Sequence, residues 1–92
     1  MIRSFACKDT ENLFCGKPCR RWRDVRNVVE RKLQLLDSAA SLDALRSPPG
    51  NRLEALQGDR SGQHSIRVNR QWRICFVWSD AGVFDVEIVD YH

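Results

Sequence analysis

The stretch "HSIRVNRQWRICFVWSDAGVFDVEIVD", residues 64–90, constrains this chain more than any other. In "HSIRV", Ile66 and Val68 point one way and Ser65 and Arg67 the other. In "WRICFVW", Trp72, Ile74, Phe76 and Trp78 share a face, against Arg73, Cys75 and Val77. In "VFDVEIVD", Phe84, Val86 and Ile88 alternate with Asp85 and Glu87. A period of two is the signature of half-buried strands. The joints, Asn69-Arg70-Gln71 and Ser79 to Gly82, are too short for a parallel crossover, so neighbouring strands must run antiparallel. A fourth, looser alternation in "NRLEALQ" precedes the turn "GDRSG", adding a strand ahead of the three.

Upstream the period changes. Trp22, Val25, Val28, Val29, Leu33 and Leu36 recur at spacings of three and four, which predicts an amphipathic helix over about Arg20–Ala39 with Trp22 on its buried face. Pro18 suits its start. Before it, Ile2–Ala6 reads as a short opening strand, and Asp9 or Thr10 as the cap of a short helical stretch, "ENLFCG", ended by Gly16. "SPPGN" cannot continue a helix. The order β, α, α and four strands predicts an α+β domain, a twisted antiparallel sheet with two N-terminal helices packed on one face. At 92 residues the chain is expected to form one domain, 1–92. With 42% hydrophobic and 29% charged residues it has the composition of a folded protein. It contains no apolar run long enough to span a bilayer, and its start lacks the h-region of a signal peptide. The expectation is a soluble, cytoplasmic protein with no membrane partner.

Charge is unevenly spread. Residues 1–46 hold ten Lys/Arg against six Asp/Glu, and the remainder is nearly balanced. The excess lies in "GKPCRRWRDVRNVVERK", where Arg20, Arg21, Arg23, Arg26, Arg31 and Lys32 form a basic face suited to a polyanion such as nucleic acid. A solvated helix face is the plainer reading. The cysteines offer no complete metal set: Cys15 and Cys19 are not a tight pair, and no second pair or nearby histidine joins them. No metal or other cofactor is expected. Cys75 reads as a small core filler.

The remaining polar residues fit RNA cleavage. Attack by a 2′-hydroxyl needs a proton acceptor, a proton donor for the leaving oxygen, and positive charge on the phosphoryl oxygens. Asp90, Tyr91, His92 and Glu54 supply the proton-transferring types, and Arg73 or Arg67 the cation. Against this stand structural readings. "DYH" can be a polar tail, Arg67 and Arg73 can pair with Glu87 or Asp85, and His64, in phase with Ile66 and Val68, reads as structural. Trp72 and Trp78 are read as core. Pattern and composition thus reach a basic α+β domain able to bind or cut nucleic acid.

Three segments carry a closer resemblance: "MIRSF", "SPPGNRLEALQGDRSGQHSIRVNRQWRICFVW" and "VEIVDYH". They resemble the HigB toxins, a branch of the RelE/ParE superfamily of bacterial toxin–antitoxin systems, and together they span essentially the whole chain. The resemblance implies the small RelE-like domain and ribosome-dependent endonuclease cleavage of mRNA. It implies a HigA-like helix-turn-helix antitoxin as partner, with operator DNA engaged only through that complex. Carried over by position, the catalytic cluster falls on Asp90, Tyr91 and His92, with Arg73 as the basic strand residue facing substrate. Glu54 and Gln57 stand where some members carry histidine and lysine. Glu54 would serve as a base, and Arg60, Arg67 and the arginines and lysine of the helix, Arg20 to Lys32, would touch RNA or the ribosome. The rival readings are a ParE-like gyrase inhibitor and a non-catalytic nucleic-acid-binding regulatory module.

Overall fold

A computed structural model describes residues 1–90, so the expectations for Tyr91 and His92 lie outside the described residues. Two helices, α1 (Lys8–Phe14) and α2 (Arg26–Ser38), precede four strands: β1 (Glu54–Ala55), β2 (His64–Arg67), β3 (Trp72–Ser79) and β4 (Gly82–Asp90). The strands form one sheet in the order β1-β2-β3-β4, each pair antiparallel, as the short joints require.

Alternation holds in β2 and β3. Ile66, Ile74 and Phe76 are fully buried beneath the helices, joined by Leu13, Val29, Leu33, Leu36 and Leu45. Each such side chain stabilises the fold by about 1.5–3 kcal/mol relative to exposure.

In β4 the expected phase fails. The register shifts between the pairs Cys75–Glu87 and Val77–Phe84, leaving Asp85 and Val86 opposite Phe76, and Asp85 takes φ +54°. The extra residue is a β-bulge. It places Val83 rather than Phe84 in the core, while Val86 and Ile88 stay buried as read.

Three further expectations are corrected. Residues Ile2 and Phe5 form only isolated bridges, and these run parallel to β4, at Val83 and Val86. The long excursion between them and β4 permits what the hairpins do not. Thr10 does not cap α1, whose N-cap is Cys7. Thr10 lies buried inside the helix, where its Oγ1 accepts the Ile88 N–H at 3.2 Å. The outer edge of β4 is thereby covered rather than left open for pairing. Finally, α2 begins at Arg26, not Arg20. Trp22 adopts a left-handed conformation, φ +61°, and a 3₁₀ turn over Arg23–Val25 leads into the helix. The indole is buried as expected, but from a loop. It meets Trp72 edge-on at 6.0 Å, with the Arg21 guanidinium over its ring at 4.3 Å. Seating the ring between those two groups, rather than continuing a helical stripe, dictates the local backbone.

The segment between α2 and β1 is pinned by one buried amide. Asn51 Nδ2 donates to the carbonyls of Leu45 (3.1 Å) and Ser47 (3.3 Å), and its Oδ1 accepts from Lys32 Nζ. This fixes the approach of Arg52 and β1 to the sheet.

Candidate functional site

The sheet face away from the helices carries the polar half of each alternation. Two cross-strand rows define it. Arg67 opposes Arg73, which opposes Val89; Glu54 opposes Ser65, which opposes Cys75, which opposes Glu87. The face is not open throughout, because β1 and the loops around it partly cover it. Ser65 is fully buried, and Arg73 and Cys75 are 4% and 2% exposed.

A buried guanidinium must be hydrogen-bonded to offset its desolvation. Arg73 Nε donates to Ser65 Oγ at 2.8 Å, and Nη2 to the carbonyls of Arg52 at 2.7 Å and Ser65 at 3.3 Å. Glu54 Oε2 lies 3.8 Å from the same Nη2. The Arg52 carbonyl reaches Arg73 because Arg52 sits at φ +45°, left-handed for a residue with a Cβ. Such backbone costs on the order of 1–3 kcal/mol and persists where surrounding structure requires it. The planar fork of Arg73 is therefore held in place by Ser65 and the Arg52 carbonyl, with the Glu54 carboxylate beside it.

Asp90 ends β4, opposite Trp72, and its Oδ2 accepts from Gln71 Nε2 at 3.2 Å. Between Asp90 and Arg60 lies a cleft of about 310 Å³, lined also by Leu56, Gln57, Ser65, Cys75 and Val89. Arg60 is fixed at its wall, donating to Glu87 Oε1 at 2.7 Å and to Gln63 Oε1 at 3.1 Å. The Glu87 hydrogen bond raises the Arg60 pKa further. Burial pushes the Cys75 thiol up, away from the reactive thiolate. Cys75 is buried as read, but on this face rather than in the hydrophobic core.

The structure thus brings Arg73, Glu54, Arg67 and Arg60 onto one side of the sheet, while Asp90, in register with Trp72, borders the Arg60 cleft from the end of β4. The pairing of Arg67 or Arg73 with Glu87 or Asp85 does not form: Glu87 goes to Arg60, and Arg67 Nε donates to the Asn69 carbonyl at 3.1 Å. His64 behaves as a structural residue, its ring stacked on Phe76 at 6.3 Å. The helical cations lie elsewhere. Arg21 pairs with Asp9 (3.2 Å), Arg26 with Glu30 (2.7 Å), and Lys32 with Asn51, where burial and neighbouring Arg31 lower its pKa. Two residues missed from the sequence complete the sheet side. Arg52 and Arg70 join Arg67, Arg73, Glu54 and Asn69 around a second cleft of about 240 Å³. Both lie outside the strands, Arg70 in the β2–β3 turn and Arg52 ahead of β1. The hint available was that every basic residue after position 46 is arginine.

Comparison with known proteins bears on this arrangement. The model of the RelE-like toxin of type II toxin-antitoxin system HigB matches residues 17–92. The chain belongs to the HigB-like toxin family. It is 50% identical over 56 residues to Toxin HigB-1 of Vibrio cholerae, a match covering 61% of this chain and 59% of that protein. Over the full length of both chains it is 34% identical to a protein named Endoribonuclease HigB from Proteus vulgaris. A match to an uncharacterised Haemophilus influenzae protein, 38% identical, spans 52% of that relative. Among solved structures, the YoeB-YefM complex from Staphylococcus aureus aligns over 100% of this chain and 98% of that one. Its TM-score is 0.60 at 12% identity, a likeness of fold. The matched residues, 17–92, include α2 and all four strands.

Proposed function

We propose that this HigB-like toxin is an endoribonuclease that cleaves mRNA on the ribosome and is held in check by a cognate antitoxin. The observation that carries the reading is the Arg73 guanidinium, locked by Ser65 and the Arg52 carbonyl beside Glu54. The full-length relative named as an endoribonuclease supports a nuclease over a gyrase inhibitor or a non-catalytic module.

The chemistry follows from the groups. A carboxylate, Glu54 or Asp90, takes the 2′-hydroxyl proton as the oxygen attacks phosphorus. The P–O5′ bond breaks, and the leaving oxygen takes a proton from His92, leaving a 2′,3′-cyclic phosphate and a 5′-hydroxyl. Arg73 faces the charge that grows on the non-bridging oxygens. Being already fixed, it need not reorganise as the transition state forms. Tyr91 stacks on or positions the substrate. Arg60 and Arg67 hold flanking RNA, while Arg20, Arg21, Arg23, Arg26, Arg31 and Lys32 give the helical side its attraction for ribosomal RNA. On this reading the free toxin acts in the cytoplasm, where the ribosomes are. The antitoxin is a HigA-like helix-turn-helix protein, through which the complex reaches operator DNA.

The test is to map mRNA 5′ ends on translating ribosomes for the wild-type chain and for Arg73→Ala, Asp90→Ala and His92→Ala. Cuts in phase with codons, absent from the variants, are expected. Undiminished cutting by all three variants would sink the assignment.

A further inference from the structure

Among the described residues, the cleft bounded by Arg52, Glu54, Arg67, Asn69, Arg70 and Arg73 sets four guanidinium groups around one carboxylate. Among the described residues, the guanidinium groups of Arg52 and Arg70 have neither a hydrogen bond nor an ion pair. Arg67 is held only by a neutral carbonyl, that of Asn69. Arg67 also stands directly opposite Arg73 across the β2–β3 ladder. Like charges so placed repel, and an anion in the cleft relieves the repulsion. The left-handed backbone at Arg52 serves Arg73 through its carbonyl and leaves its side chain on the cleft. The adjoining cleft has a different character: Leu56, Val89 and Cys75 are apolar, and Arg60 is already paired with Glu87.

We propose that the arginine cleft is a second phosphate site, which grips the RNA backbone next to the phosphate being cut, with Arg52 and Arg70 as its binding residues. The inference rests on the endoribonuclease reading for the position of the cut, but the cleft's affinity for phosphate can be measured without cleavage. RNA carries one phosphate per nucleotide, so a strand lying on Arg73 must place its next phosphate nearby. Arginine's fork matches phosphate oxygens, and backbone contacts of this kind position a strand without reading its sequence. Arg52 and Arg70 then act on substrate affinity and register rather than on the chemical step.

The experiment compares the wild-type chain, an Arg52→Ala/Arg70→Ala variant and a Lys8→Ala/Arg46→Ala variant. The last removes the same charge from exposed remote sites. Binding is followed by anisotropy of a labelled 2′-O-methyl single-stranded RNA, which lacks the nucleophile, and of an abasic strand of equal length, across a salt series. Thermal melts establish that each variant folds. The cleft variant is expected to bind both strands roughly tenfold more weakly. Its salt dependence should flatten by about 0.7 per lost phosphate contact. On ribosomes its KM should rise while kcat stays within about twofold. The remote variant is expected to match wild type. Wild-type affinity and salt slope in the cleft variant would overturn the proposal, as would an equal loss in the remote variant or a loss confined to the strand that carries bases. If the wild-type chain cuts no mRNA, the endoribonuclease reading falls, while the binding series still decides the phosphate site.

Discussion

On the helical side of the molecule, Arg21 reaches Asp9 and stacks on Trp22, Arg26 reaches Glu30, and Lys32 is tied to Asn51. On the sheet side, Arg52, Arg67, Arg70 and Arg73 converge on one cleft with, among the described residues, a single carboxylate. By sequence the first region is the basic one and the second nearly balanced. In three dimensions two cations of the first, Arg21 and Arg26, are paired with acids, and the second gathers Arg52 and Arg70, which among the described residues pair with none, beside Arg67 and Arg73. A run of basic residues therefore measures charge density along the chain, whereas a binding site depends on density in space.

The comparison breaks most sharply at Arg73. Arg73→Lys should lower the rate of mRNA cutting about a hundredfold, because an ammonium cannot satisfy Ser65 and the Arg52 carbonyl together while facing phosphate. A rate near wild type, measured under single turnover, would mean that the held fork is not what the site uses. Asn51→Ala, between the two regions, should destabilise the fold by about 2–3 kcal/mol in denaturant melts. It strips the Leu45 and Ser47 carbonyls and Lys32 of their partner. Ser65→Ala is expected to reduce kcat roughly tenfold with KM little changed, and Ser65→Thr to restore it, since only the hydroxyl that orients Arg73 matters. If alanine and threonine behave alike, the positioning role of Ser65 is wrong. On the helical side, Arg26→Ala should cost only about 1 kcal/mol of stability, from a half-buried i,i+4 pair and one exposed hydrogen bond to the Lys17 carbonyl. Its kcat should be unaltered; a fall comparable to that of Arg73→Lys would erase the contrast between the regions.

The smallest effect concerns Cys75. Its thiol pKa is raised by burial above the ordinary 9.0. Above about pH 9 the unfolded chain gives up this proton while the folded chain retains it, so stability falls as pH rises through that range. Cys75→Ser should soften this alkaline loss in melts taken across the pH series. Exposed Cys15 should be alkylated well before Cys75 in the native protein.

The sheet was legible because its cause is local. Hydrophobic alternation and short joints leave an antiparallel meander few alternatives, and β2 and β3 appear where the pattern puts them. The pattern lost its phase at Asp85, where one bulged residue exchanges Phe84 for Val83. It also misjudged the start of α2, where Trp22 keeps its burial but not a helical backbone. Both departures depend on partners distant in sequence: β3 opposite the bulge, and Trp72 against Trp22.

Of the site, Arg73, Glu54 and Asp90 could be named from residue type and family resemblance, but not their relation. That Arg73 is buried, that Ser65 and a carbonyl hold it, and that Glu54 stands beside it follow from pairing β1 with β2 and β2 with β3. Arg70 sits in a turn and Arg52 at the loose start of an alternation, so neither was marked out by periodicity. The sequence by itself determined the α+β class, the antiparallel order and the chemical types available. Only the tertiary structure decided which cations cancel and which converge, because charge interaction falls with distance through space and takes no account of separation along the chain.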